Sequence, residues 1–157
     1  MSQAEPQNIL LIDDDLTIRK LIGFHLRKKD YHTLEASDAN EGFEILEQQK
    51  VDLVLCDVGM DGMDGFTFCK KVRENEKHRV LPFIFVTAKS SFEDKERALE
   101  SGGDDLITKP FDVQELLLKV QALLRRTEIY KTYGAKKTIE QTIQEDIPKI
   151  LLVDDDL

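Results

Sequence analysis

Asp13, Asp14, Asp57, Thr87 and Lys109 are the residues of this chain whose types could do chemistry together. Carboxylates brought close repel one another, so either one keeps its proton or a cation sits between them. The ligands on offer are all oxygen, which selects a hard ion, with Mg2+ ahead of Ca2+ because a small site completed by water suits its octahedral demand. The stretch beginning at Asp57 is not an EF-hand loop, since its twelfth position is Phe68, where a bidentate Glu is required. A carboxylate on such an ion is a nucleophile already ionised at pH 7 and needs no base. Phosphorus is its natural electrophile, because phosphoryl transfer is catalysed mostly by positioning and charge neutralisation. Mg2+, the Lys109 ammonium and the Thr87 hydroxyl would each take one phosphoryl oxygen, leaving an acyl phosphate on Asp57.

The elements that must bring these residues together are legible as runs that stop at them. Residues 9–12 are wholly apolar and end in the acid block Asp13, Asp14, Asp15; residues 51–56 are apolar but for Asp52 and end at Asp57; residues 81–86 end at Thr87. The shorter, polar run 104–108 ends at Lys109 and Pro110, and a weak strand is expected over 31–36. Helical spacing fills the gaps. Ile18, Leu21, Ile22 and Leu26 face inward with Arg19, Lys20, Arg27 and Lys28 opposite; Ala39, Phe43 and Leu46 follow the cap candidates Ser37 and Asp38; Phe66, Cys69 and Val72 follow Asp64. A fourth helix behind the capping pair Ser91 and Asp94 carries little beyond Phe92, Ala98 and Leu99 and is thinly anchored. Asp112 and Glu115 suggest a second capping box, before a last helix faced by Val113, Leu116, Leu117, Val120 and Leu124.

Strand then helix, five times over, makes a parallel sheet covered on both sides when the crossovers are right-handed. Strands one, three and four are the most apolar and belong in the centre, which predicts an α/β flavodoxin-like three-layer sandwich of order 2-1-3-4-5. The carboxyl ends of its strands share one rim, and there the five residues converge.

Composition narrows the setting. With 157 residues, 41% hydrophobic and 34% charged, the chain can bury one core with a little left over. A formal net charge of -9 argues against a nucleic-acid surface and for a protein partner. Cys56 and Cys69 form no CxxC pair and fall on core faces as reduced thiols, no signal peptide opens the sequence, and no apolar run reaches membrane length. A cytoplasmic home is expected.

Through ILLIDDD, LVLCDVGMDGMDG, PFIFVTA and GGDDLITKPF, residues 8 to about 126 resemble the receiver domain of bacterial two-component response regulators. The resemblance implies that Asp57 accepts a phosphoryl group from a sensor histidine kinase, a phosphotransfer protein or a small phosphodonor, the chain being a signalling module rather than an enzyme. It also implies that Asp13, Asp14, Asp57 and the main-chain carbonyl of Gly59 hold Mg2+, that Thr87 and Lys109 grip the phosphoryl group, and that Pro110 follows a cis peptide bond. The fourth helix, strand five and the last helix would form the output face and a homodimer contact. Three departures from the family's habit stand out: Leu106 replaces an aromatic residue of strand five, Asp61 replaces a proline, and Gly59 and Lys89 occupy the two positions that tune phosphoryl loss.

The end of the chain, KILLVDDDL, repeats ILLIDDDL from its beginning. The expected organisation is a receiver over 1–126, a linker over 127–147 that extends the last helix or forms its own, and the first strand of a second receiver over 148–157. Gly134 argues against one continuous helix. Two other functions compete. Asp13 to Thr17 match the DxDxT opening of haloacid-dehalogenase-like phosphatases, with Asp13 as nucleophile and Asp15 as acid and base, although Asp104 and Asp105 precede Lys109 where that family places them after it. The third reading is a receiver-shaped scaffold that is never phosphorylated. Gly102 to Leu106 imitate a diguanylate cyclase signature, but only as the turn into strand five.

Overall fold

The computed structural model describes residues 5–144, with side chains described as far as Lys131. Five strands and five helices alternate: β1 Asn8–Ile12, α1 Leu16–Lys28, β2 His32–Ala36, α2 Ala39–Gln48, β3 Leu53–Cys56, α3 Gly65–Glu74, β4 Phe83–Thr87, α4 Phe92–Glu100, β5 Asp105–Thr108 and α5 Val113–Gln144. All pairings are parallel and the order is β2-β1-β3-β4-β5, the flavodoxin-like arrangement expected from the runs. The polar strands β2 and β5 take the edges, where one side of the ladder meets no further strand.

Period-two alternation divides the core between the two faces of the sheet. Leu10, Ile12, Val54, Cys56, Phe83 and Phe85 pack with α2 and α3 residues and with Ala98 of α4. Ile9, Leu11, Leu53, Leu55, Ile84 and Val86 pack with Ile22 and Leu26 of α1 and with Leu116, Leu117, Val120 and Leu124 of α5. The central strands are therefore sealed on both sides, and their ends are held to a common rim. Cys56 and Cys69 are buried free thiols, and burial pushes the Cys69 thiol up to about 11.

Several expectations are corrected. Leu21 is 42% exposed, because α1 turns Ile22 and Leu26 into the core and leaves Leu21 at its margin. On α4 the thin anchoring and the Ser91 and Asp94 capping box are as expected: Phe92 and Leu99 are both 75% exposed, and Ala98 is the buried apolar residue. The second box does not close as expected: Asp112 accepts from the Gln114 N–H at 2.8 Å, and Glu115 lies 4.0 Å from Lys119 instead. The backbone of α5 runs through Gly134 for 32 residues, since one glycine costs a helix only about 1 kcal/mol.

The chain divides into two units between Leu124 and Arg125. The first holds the sheet and its helices; in the second the backbone is helical as far as Gln144. The repeated strand over 148–157 lies outside the described residues. No helix among the described residues is long and apolar enough to cross a membrane.

Gly65 opens α3 against the backbone that follows β3. A Cβ there would lie 2.3 Å from the Asp57 carbonyl oxygen and 2.9 Å from Val58 Cα, and main-chain atoms cannot swing aside as a side chain would. Gly65→Ala should therefore cost about 1–3 kcal/mol in urea unfolding, with the loss centred on the 57–65 loop.

Candidate functional site

Asp13 and Asp57 are brought side by side by the register of adjacent strands, which pairs Ile12 with Cys56. Main-chain bonds fix both positions: the Asp13 N–H donates to Ala36 O at 3.1 Å and the Asp57 N–H donates to Ile12 O at 2.9 Å. Asp13 is 5% exposed and Asp57 9%, while Asp14 is exposed at the mouth. One oxygen from each of Asp13, Asp14 and Asp57 lies within 4.8 Å of the others. Lys109 directly follows the last residue of β5, and the peptide bond that leads from it to Pro110 is cis. Its Nζ donates to Asp13 Oδ2 at 2.7 Å and stands 3.6 Å from Asp57 Oδ2.

Thr87 ends β4 on the same rim, 1% exposed, with its Oγ1 accepting the Lys89 N–H at 3.1 Å and its carbonyl accepting the Lys109 N–H at 2.8 Å. Gly59 is exposed in the loop after Asp57, and a Cβ on it would meet the Lys89 side chain at 3.9 Å. Asp61 is exposed beside it. Leu106 is half-buried against the core face that carries Phe83 and Phe85. The sequence-based set thus gathers at one end of the sheet, and Asp15 separates from it. Asp15 caps α1, accepting from the Thr17 N–H at 2.9 Å, so its carboxylate is committed to the helix rather than to acid and base work.

Burial raises the Asp13 carboxyl above its ordinary value, with the Asp57 charge adding to the rise and Lys109 and the Asp15 N–H opposing it. An all-oxygen set with two buried carboxylates and a raised carboxyl suits a hard divalent cation, and the residues present fit Mg2+. Because the folded protein holds the Asp13 proton more tightly than the unfolded chain does, ionised Asp13 destabilises the metal-free fold. That penalty is absent below pH 3.8, grows as pH rises through the higher folded value, and is complete at neutral pH. Asp13→Asn should accordingly raise the melting temperature of the metal-free protein at pH 7, and the gain should vanish at pH 3.

One neighbour of the site carries no sequence signal of its role. Arg19, expected on the solvated face of α1, is only 14% exposed in its side chain and turns back to the Asp13 carbonyl and to Glu35. Spacing on a helix places a residue on a face but does not say where a long side chain ends.

Comparison with known proteins gives a consistent result. The family described as "Response regulator receiver domain" matches residues 9–121. The DNA-binding dual master transcriptional regulator RpaA of Synechocystis sp. is 40% identical over 120 residues, which are 76% of this chain and 50% of that protein. The heme response regulator HssR of Staphylococcus epidermidis is 38% identical over 122 residues, 78% of this chain and 53% of that protein. The chain spans about half the length of these curated relatives. Among solved structures, the chemotaxis response regulator CheY4 of Vibrio cholerae superposes with a TM-score of 0.72 at 28% identity, over 75% of this chain and 98% of that one. A two-component response regulator from Clostridium difficile gives 0.73 at 30% identity, over 77% and 98%.

Proposed function

The chain belongs to the response regulator receiver domain family, and from that premise we propose that Asp57 accepts a phosphoryl group from a sensor histidine kinase or a phosphotransfer protein. Receiver domains are signalling domains that meet such partners. The reading for this chain goes further: Asp57 is the nucleophile, Lys109 and Thr87 are the phosphoryl-binding pair, and the domain assists its own phosphorylation without turning over a substrate as an enzyme does. The observation that supports it best is the Asp57 carboxylate, 3.6 Å from the Lys109 ammonium and inside a triad of oxygens within 4.8 Å of one another.

The reaction balances simply. An Asp57 carboxylate oxygen forms a bond to phosphorus, the donor's bond to phosphorus breaks on the opposite side, and the electron pair leaves with the donor, an imidazole or a small acid. Lys109 is already charged and close, so it can follow the developing negative charge from Asp13 towards the phosphoryl oxygens without a proton transfer. The Thr87 hydroxyl, which accepts the Lys89 N–H, has its own proton free to donate to a phosphoryl oxygen, and a turn towards it would draw in the chain at Lys89. Asp13, Asp14, Asp57 and the Gly59 carbonyl would hold Mg2+, which supplies the charge neutralisation that carboxylates and phosphoryl oxygens need to approach.

The receiver spans 1–126, a helical linker spans 127–147, and 148–157 begin a second receiver, an assignment supported by the repeated ILLxDDDL. The protein works in the cytoplasm, and α4, β5 and α5 form the output face and a homodimer contact, which suits the light anchoring of α4 by Ala98. The test is the intact mass after incubation with acetyl phosphate, with and without Mg2+, followed by peptide mapping. A single Mg2+-dependent adduct on the Asp57 peptide is expected. An adduct on the Asp13 peptide would give the protein to the phosphatase reading, and no adduct with any donor would make it an unphosphorylated scaffold.

A further inference from the structure

Arg19 makes contacts that a solvated helix residue does not make. It sits in the second turn of α1, and its Nη1 donates to the Asp13 carbonyl oxygen at 2.5 Å while its Nε donates to Glu35 Oε1 at 3.0 Å. Glu35 lies on β2, and Lys20 stands 3.9 Å from its other oxygen, so the carboxylate is held from two sides. The other half of the same stretch is fixed as well, because the Asp13 N–H donates to Ala36 O, the residue after Glu35. Asp13 is thus clamped at both its peptide groups between α1 and β2. Its side chain then has little choice: Oδ1 accepts the Asp15 N–H at 2.9 Å, and Oδ2 faces Lys109 and the site. Arg19 also lines, with Asp13 and Asp57, a cavity of about 10 Å3 between α1 and the sheet, room for no more than one water.

We propose that Arg19, braced by Glu35, is a positioning residue that fixes the Asp13 main chain so that its carboxylate meets Asp57 in metal-binding geometry. The inference rests on the Mg2+ reading above and deepens it. Two effects of Arg19 on a cation have opposite signs, which makes the role measurable. As a positive charge near the site it would weaken Mg2+ binding, and Glu35 largely cancels that charge. As the clamp on a ligand's backbone it would strengthen binding, and partners that orient metal ligands typically govern affinity by ~10–100-fold. The paired Glu35 leaves the second effect dominant.

The experiment is a calorimetric titration of the whole chain with MgCl2 at neutral pH, which reads affinity from a binding isotherm that saturates and needs no phosphodonor. Arg19→Ala should move the half-maximal Mg2+ concentration up by about 10-fold or more. Arg19→Lys keeps the charge but lacks the two-pronged fork, so it should move the midpoint in the same direction and not restore the parent value. Arg27→Ala removes another arginine of α1 that reaches β2, through Thr33 Oγ1 at 3.0 Å, and should leave the midpoint unchanged. A midpoint that stays put or falls in both Arg19 variants overturns the proposal. If the parent chain shows no Mg2+ response at all, the Mg2+ reading itself fails and takes this inference with it. A response in the parent that both variants keep unchanged overturns this inference alone.

Discussion

Asp57→Asn should show no phosphoryl adduct by intact mass under conditions that fully convert the parent chain with acetyl phosphate and Mg2+. The substitution leaves the main-chain bond to Ile12 O intact and alters no buried apolar contact, so the variant should fold and melt cooperatively. What it removes is the anionic oxygen that attacks, and a neutral amide is no substitute nucleophile. No neighbour can take over. Asp13 has one oxygen on Lys109 and the other on the Asp15 N–H, and Asp14 stands exposed outside the pair. Asp13→Asn, by contrast, should slow adduct formation and raise its Mg2+ requirement without moving the adduct to another residue. An Asp57→Asn protein that still gains a phosphoryl group, together with an Asp13→Asn protein that does not, would reverse the two roles and restore the phosphatase reading.

The strand ends were legible because each apolar run stops at a chemically distinct residue. Ile12 to Asp13, Cys56 to Asp57 and Val86 to Thr87 are abrupt changes, and parallel strands carry such changes to one rim whatever the loops do. Strand order followed from the same runs, since only β1, β3 and β4 are apolar enough to be covered on both faces. Leu21 was misplaced because a helix packed on a sheet buries a stripe narrower than four residues in every seven, and spacing does not say which flank lies outside. The sequence left open whether the last helix passes Gly134, because propensity weighs one residue at a time, whereas a helix already nucleated propagates at small cost. Gly65 and Arg19 were invisible as site residues. Their roles depend on where the Asp57 and Asp13 carbonyl oxygens point in space, and nothing in the spacing of side chains reports that.

Lys109→Ala should slow phosphorylation of Asp57 by about 10²–10³-fold, the usual loss when one preorganised donor to a developing charge is removed. The same substitution has an opposite effect on the resting site. Burial alone would lower the Lys109 ammonium's pKa, but its hydrogen bond to Asp13 and the charges of Asp13 and Asp57 outweigh that and hold it above 10.5. The stability it contributes is fully present below pH 10.5 and is lost as pH rises through the higher folded value, so above pH 10.5 the parent should lose more stability than Lys109→Ala does, beyond the alkaline loss that the buried Cys56 and Cys69 thiols give both proteins. In the metal-free state Lys109 is also the cation that serves Asp13 Oδ2, and a divalent ion has to share or displace it. Lys109→Ala should therefore bind Mg2+ more tightly while phosphorylating more slowly, and a calorimetric titration set beside a rate of adduct formation separates the two. Loss of both would mean that Lys109 holds the ligands in place rather than competing for them. The contrast with Arg19 is physical: one cation lies on the carboxylate oxygens and acts through charge, the other lies on the carbonyl behind them and acts through geometry, so their removal should move Mg2+ affinity in opposite directions.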